Sequence, residues 1–348
     1  MSDAIPHSRP TLPVGPEWEQ VTSRLVPGWI ADGPCVAAFE AAAAEWLGCP
    51  GGVAVASGSV ALQLVLSALG AGPGREVLIP AYCCAALLNA VALTGAVPVL
   101  VDAEPGGFQI CPTDTSRRIT PRTAAVVVAH LFGEPVPMQP FLDLGVPVVE
   151  DCAQSLGARE GSEFTGARGH AAITSFYATK VITTGHGGLA TGRDPELPAG
   201  VRDRVEYDNR EEWEPRLSCR ISELQAAHGL WQLERLPAWL VRRRALATFY
   251  DECLRGAGRP IPHRQAAGAI FYRYVVRVPD ADRALQELAA RGIGARRPVF
   301  RPLHRYFPDL AGAYPHADAA DREIVSLPLY PGLTEGEATR VMTAFLAL

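Results

Sequence analysis

Apolar positions in this chain fall into short unbroken runs and helical stripes that alternate over the first two hundred residues. The stretch AFEAAAAEWL, stopped by Gly48, predicts a helix over Ala37–Leu47. Gly52–Ala56 predicts a short strand that enters Ser57-Gly58-Ser59, and a helix follows through Leu69. Runs at Glu76–Ile79, Val97–Val101, Ala124–Ala129, Val146–Glu150 and Ala171–Phe176 predict further strands with helices between them. Continuous apolar runs of this length suit strands buried on both faces of a parallel sheet. The alternation predicts an α/β fold, a three-layer α/β/α domain around a mostly parallel sheet.

From Ser222 to Arg255 the pattern becomes one long helical stretch, which Pro237 is expected to break or kink. A strand at Tyr272–Val278, a helix at Asp280–Arg291, a basic loop at Ala295–Arg305 and a last helix at Glu335–Leu346 complete the chain. The expected division is a large domain over 1–235, with an N-terminal arm over 1–24, and a smaller α+β domain over 236–348.

Composition narrows the function classes. At 348 residues and 48% hydrophobic, the chain can bury a core without disulfide or metal staples. A net charge of −5 gives no reason to expect nucleic acid or an anionic membrane as partner. The most apolar segment, Tyr82–Val101, is interrupted by Asn89, Thr94, Gly95 and Pro98. It reads as a helix to about Leu93, a glycine turn and a strand, not a membrane span. Eight cysteines without CxxC spacing suggest a reduced, cytoplasmic protein, and the start MSDAIPHSRP carries no secretory pattern. The eight histidines show no metal-ligand spacing, so no metal is expected.

One count changes the picture. The chain has 31 arginines and a single lysine, Lys180. Arginine replaces lysine wherever only charge is needed, but its guanidinium stays protonated and cannot attack a carbonyl as a free amine. Lys180 lies just past a predicted strand in SFYATKVITTGHGG, five residues after Ser175 and beside a Gly/Thr-rich loop. Asp151 ends another predicted strand, at the sheet edge where α/β folds place ligands, and can pair with a protonated ring nitrogen, cap a helix or join a structural ion pair. Gln154 faces the same rim if a helical turn begins there. Ser57, Gly58 and Ser59 open a helix and so suit a phosphate, although a plain serine cap explains them as well. GAGPGREV (Gly70–Val77) follows a helix and precedes a strand, the wrong order for a dinucleotide fingerprint.

Together, ASGSVALQLVLSALGAGPGREVLIPAY, VEDCAQSLGA, SFYATKVITTGHGG, CRISELQAAHGLWQLERL and SLPLYPGLTEGE resemble the DegT/DnrJ/EryC1/StrS aminotransferases in order and spacing, from about Ile5 to Val341. The resemblance implies a pyridoxal 5′-phosphate (PLP) enzyme of fold type I. Lys180 would form the internal aldimine and shuttle protons, and Asp151 would keep the pyridine nitrogen protonated. Gln154 would bond the ring hydroxyl, and Ser57, Gly58, Ser59 and Ser175 would hold the phosphate; Tyr82 would meet the ring only by shifting to replace a stacking aromatic absent at Cys84. The resemblance also implies a homodimer with active sites at the interface, Ser218-Cys219-Arg220 reaching the partner's site. Glutamate or glutamine would give the amino group to a keto-sugar, nucleotide-linked, or to a cyclitol ketone.

Candidates for binding substrate carboxylate or phosphate are His186, Arg220, Arg297, Arg301 and His304. The chain departs from the pattern at Cys84, where many relatives stack an aromatic ring on the cofactor. It departs again at Ser218-Cys219, in place of Asn and Tyr, and at His186, in place of an acidic residue. Related dehydratases carry histidine at the position of Lys180. Two other readings stay open: a PLP enzyme of another reaction type, and a non-catalytic PLP-binding regulator.

Overall fold

Among the residues described by this computed structural model (4–261, 268–310 and 312–348), seven strands form a central sheet. Residues 1–3 of the expected arm lie outside the described residues. Along the chain come β1 (Gly52–Val55), β2 (Glu76–Pro80), β3 (Val97–Val101), β4 (Thr123–Ala129) and β5 (Val148–Asp151). A small hairpin, β6 (Arg159–Glu160) and β7 (Glu163–Phe164), precedes β8 (Ala171–Ser175) and β9 (Gly188–Gly192). The spatial order is β1-β9-β8-β5-β4-β2-β3. Strand β9 runs antiparallel to both its neighbours, and the other neighbours pair in parallel. The sheet is thus mostly parallel, as the apolar runs predict.

Helices cover both faces. In order they are α1 (Glu17–Thr22), α2 (Pro34–Glu45), α3 (Gly58–Ala68), α4 (Ala86–Thr94), α5 (Pro112–Arg118), α6 (Gln139–Leu142), α7 (Glu196–Asp203), α8 (Glu223–Gly256), α9 (Ala281–Ala290), α10 (Pro315–Glu323) and α11 (Glu335–Leu346). Successive strand residues point to opposite faces. Val53, Val55 and Ile173 therefore pack with Leu62 and Val65 of α3 and Leu87 of α4. Ala54, Ala172 and Leu189 pack on the other side with Phe39 of α2 and Trp231 and Leu236 of α8.

Several boundaries shift by a residue or two, such as the strand expected at Tyr272–Val278, which spans Tyr274–Arg277; three larger differences each have a physical reason. Helix α2 begins at Pro34, not Ala37, because the buried Glu223 carboxylate accepts from the amides of Gly33, Cys35 and Val36 at 3.0, 3.0 and 2.9 Å. That cap comes from far along the chain, where no local pattern reveals it. Helix α8 is not broken at Pro237: the proline is exposed, and the flanking Leu236 and Leu240 are buried on the packed stripe. Strand β9, GLATG, was not expected at all, since two glycines and a threonine carry little strand signal. It forms because ladders to β1 and β8 satisfy its backbone on both sides.

Helix α8 runs unbroken across residues 235 and 236. Its C-terminal half gives Leu246, Tyr250 and Leu254 to a separate core with Tyr274, Val276, Val341 and Phe345. There β10 (Tyr274–Arg277) pairs antiparallel with β11 (Ile324–Leu327), and Ile5 joins that core by bonding to Gly292 and Gly294 at 2.9 and 2.8 Å. The apolar segment Tyr82–Val101 resolves into α4, a left-handed Gly95 (φ 82°) and β3. No helix among the described residues is long and apolar enough to cross a membrane.

Candidate active site

The site begins where β1 hands over to α3. Ser57 caps the helix, its side chain accepting from the Val60 amide at 3.2 Å. The next two amides, of Gly58 and Ser59, have no acceptor within the helix, and the helix dipole adds to their pull on an anion. Strand β8 ends beside them at Ser175. Strand β9 starts at the same rim, with Gly188 registered against both Val55 and Ser175. A Cβ on Gly188 would fall 2.5 Å from the Gly58 nitrogen, so only glycine lets the strand pass there.

Asp151 is the last residue of β5 and is 8% exposed. One of its oxygens accepts from the Ala153 amide at 2.9 Å. Burial pushes its carboxyl above the ordinary range; the Ala153 amide and the Lys180 charge oppose that push without cancelling it. Lys180 follows β8 through a tight turn, its amide donating to the Tyr177 carbonyl at 2.9 Å. Its Nζ lies 5.6 Å from the centre of the Tyr272 ring.

These residues converge on a cavity of about 310 Å³. Ser57, Gly58, Ser59, Asp151, Ser175 and Lys180 line it, with His186 at the mouth. The His186 ring is exposed and meets Tyr177 edge-on at 5.2 Å, while its carbonyl is fixed by Thr184 and Gln225 at 2.7 and 2.8 Å. Cys84 also lines the cavity and is reached by solvent. A hydrogen bond from the Cys83 thiol and the charge of Lys180 hold the Cys84 thiol below its usual range, while burial acts against them. The Cys83 thiol is pushed up in turn, first by that hydrogen bond and then by burial.

The other residues singled out in the sequence do not line this cavity. Tyr82 lies in the core, 1% exposed, with no partner for its hydroxyl. Gln154 sits in a turn, not a helix, and its Oε1 accepts from the Phe132 amide at 2.8 Å. Arg220 stands beside the end of β1, bridged to Val55, but its guanidinium pairs with Asp32 at 3.0 Å. Arg297 pairs with Asp282 at 2.9 Å and with Asp321 at 3.4 Å. Arg301 is exposed over the Tyr306 ring, and buried His304 bonds Asp318 at 3.1 Å.

Ile173, two residues before Ser175 on the same strand face, lines the cavity and follows from the strand period. Tyr272, distant in sequence, had no such signal. One cluster elsewhere, His130, Glu150 and Cys152, is close enough to hold a metal ion. Its donors are already engaged. The Glu150 carboxylate accepts from His130 at 2.8 Å and from the amides of Gly166, Arg168 and Gly169 at 2.8, 2.8 and 2.6 Å. The second ring nitrogen of His130 accepts from Val136 at 3.0 Å. The cluster is a buried tie beneath the sheet rim.

Residues 15–346 match the family model described as the DegT/DnrJ/EryC1/StrS aminotransferase family. This chain belongs to that family. The aminotransferase is 35% identical to the GDP-perosamine synthase of Caulobacter vibrioides, over 95% of this chain and 94% of that protein. Its fold matches S. venezuelae DesV, solved in complex with a ketimine intermediate, with a TM-score of 0.89 and 32% identity, covering 99% and 98% of the two chains. The Streptococcus pneumoniae protein Spr1654, solved in PLP and PMP forms, matches with a TM-score of 0.91 and 26% identity. Those matches cover 99% of this chain, and 98% and 97% of the solved chains.

The family cofactor is PLP, and the cavity suits its chemical parts. The unpaired amides of α3 and the Ser175 hydroxyl would hold a phosphate in a cradle that a Cβ on Gly58 would fill. Asp151, buried and with one oxygen bonded to Ala153, would face a protonated ring nitrogen. Ala153 and Ile173 offer apolar floor, and Lys180 supplies the amine. When bound, the cofactor supplies an electron sink that lets an amino group pass between two carbonyl carbons.

Proposed function

We propose that this chain moves an amino group from glutamate or glutamine to a keto-sugar, nucleotide-linked, or to a cyclitol ketone, with Lys180 as the residue that binds PLP covalently. The observation that carries the reading is the convergence of Lys180, Asp151 and the α3 N-terminus on one cavity. The 35% identity to a GDP-perosamine synthase favours a nucleotide-linked sugar over a cyclitol. Lys180 would hold and return a proton at the substrate carbon, and Asp151 would keep the ring nitrogen charged. Ser57, Gly58, Ser59 and Ser175 would fix the phosphate.

The working form in this reading is a homodimer. Exposed Trp29 (50%), Ile30 (85%) and Leu224 (52%) give apolar surface of the kind that a partner covers. The patch adjoins the site: the Glu223 amide donates to the Ile30 carbonyl at 3.1 Å, and the Ala56 amide to the Cys219 carbonyl at 2.6 Å. In this reading the protein works in a reducing cytoplasm, a compartment that suits its eight free cysteines.

The test is direct. Borohydride reduction of PLP-loaded protein, followed by peptide mass analysis, should fix the cofactor on Lys180. Glutamate should then change the absorbance of the bound cofactor. GDP-linked keto-sugars and cyclitol ketones, assayed by product mass, should include a keto-sugar that is aminated. A cofactor found elsewhere, or no aminated product from any keto-sugar or cyclitol ketone with either donor, overturns the reading.

A further inference from the structure

We propose that Tyr272 is a positioning residue for Lys180: the face of its ring seats the lysine's charged amine whenever that amine is not bonded to the cofactor. This rests on the reading that Lys180 is the PLP-binding residue. The two residues are far apart in sequence, and Tyr272 enters from the segment that leads into β10.

The geometry is that of a cation over an aromatic face. Nζ of Lys180 stands 5.6 Å from the ring centroid, within the range where the ring quadrupole attracts an ammonium. Tyr272 is 5% exposed, and a desolvated ring gives a stronger attraction than one in water. Burial would raise the Tyr272 hydroxyl, yet Lys180, Arg273, the Thr179 hydrogen bond and Arg243 together bring it below its usual range.

The ring is also held firmly enough to act as a seat. Its hydroxyl accepts from Arg273 Nη2 at 3.1 Å and is bonded to Thr179, next to Lys180. Its backbone carbonyl accepts from buried Arg243 at 3.4 Å. The flanking backbone bonds Ile270 to Gly133 at 3.0 Å and Arg273 to Phe132 at 3.2 Å. Phe132 in turn is tied to Gln154 at 2.8 Å.

Transamination gives such a seat a use. In each half of the cycle Lys180 must leave the cofactor and later return. A free lysine side chain has many rotamers and a strongly hydrated charge. Across the cavity Asp151 and Cys84 face the same amine, and both act on it as opposite charges when ionised. The Tyr272 ring, outside the cavity lining, adds a neutral surface that attracts the ammonium without binding its proton. Around the ring itself stand Arg273, at 4.5 Å from the centroid, and Arg243; an arginine keeps its charge through the working range.

Because the chain has one lysine, the labelled Lys180 peptide is distinct from those of the N-terminal amine and of the eight cysteines, which the reagent also attacks. Apoprotein would be treated with 2,4,6-trinitrobenzenesulfonate, which attacks neutral amines, across a pH series, and the Lys180 peptide quantified by mass spectrometry. Four proteins are compared: wild type, Tyr272→Phe, Tyr272→Leu, and a chain with pentafluorophenylalanine at position 272. Phenylalanine keeps the ring face, leucine removes it, and fluorination reverses its polarity while preserving its shape.

The phenylalanine variant loses the Arg273 and Thr179 bonds but keeps the ring face and its backbone ties, and should stay much closer to wild type than the fluorinated one. The leucine and fluorinated variants should be displaced to lower pH, with labelling at a fixed neutral pH faster by roughly threefold to tenfold. Coincidence of the wild-type, phenylalanine and fluorinated profiles overturns the proposal, as does a phenylalanine variant that departs as far as the fluorinated one. The fluorinated ring decides the matter even if the leucine variant does not fold. Borohydride reduction of the PLP-loaded wild type separates the two failures. No cofactor on Lys180 removes the reading beneath the proposal, whereas cofactor on Lys180 with unmoved profiles removes the seat alone.

Discussion

Gly58 lies so close to Ser175 that a Cβ on the glycine would fall 2.8 Å from the serine's own Cβ. The first turn of α3 and the end of β8 thus share one small space, and absence of a side chain at residue 58 keeps it open.

Gly58→Ala is expected to push Ser175 out of the cradle and to weaken PLP binding by roughly tenfold or more, about 1.4 kcal/mol. Titration of apoprotein with PLP, followed by absorbance, reads the change, with far-UV circular dichroism as the control for folding. Unchanged affinity would show that the phosphate is held elsewhere.

Asp151 carries a cost in the apoprotein. Its carboxyl is pushed up by burial, so the folded state holds a proton that the unfolded chain releases. Stability therefore falls as pH rises from the unfolded value, about 3.9, through the raised folded one. Asp151→Asn keeps an acceptor for the Ala153 amide and removes that cost. The variant apoprotein should melt higher than wild type at pH 7, with the gap closing towards pH 4, while PLP binds it more weakly. A melting-temperature difference independent of pH would refute the assignment.

Glu150 has the opposite sign. Burial would raise its carboxyl, but His130 and the amides of Gly169 and Gly166 outweigh that and hold it below its usual value. Its contribution is present above the unfolded value, about 4.3, and is lost as pH falls through the folded one. Glu150→Gln should cost about 2 kcal/mol at pH 7, because the NH2 that replaces one carboxylate oxygen cannot accept from the buried amides facing it. Urea denaturation at pH 7 and at pH 4 checks both the size and its decline in acid.

Cys84 should be the first of the eight cysteines to react with iodoacetamide at neutral pH, because Cys83 and Lys180 favour its thiolate and solvent reaches it. Bound PLP should protect it, and Lys180→Met should slow the alkylation. Peptide mass mapping over time gives the order of reaction; another cysteine reacting ahead of Cys84 would contradict the depressed thiol.

Much of the cavity wall was legible as residue types in local settings. Ser57-Gly58-Ser59 announced a helix opening, Asp151 a strand end, and Lys180 stood out because every other basic residue except histidine is arginine. These signals are local: a period of two or 3.6, a cap, a turn, a count. Side chains whose partners lie far along the chain gave no such signal. Glu223 caps α2 from across the molecule, Arg220 is taken by Asp32, and Gln154 turns to Phe132.

The sequence alone determined the alternation of strands and helices, the buried character of the sheet and the single lysine side chain able to attack a carbonyl. Only the tertiary structure decided that Ser57, Ser175, Lys180 and Asp151 share one rim, through the strand order β1-β9-β8-β5. That order depends on β9, whose glycines carry little propensity but let backbones approach where a Cβ would not fit. It also decided that Tyr272 stands over Lys180. Local free energies choose elements, whereas strand order and close approach are set by packing over long separations, which no stretch of sequence encodes by itself.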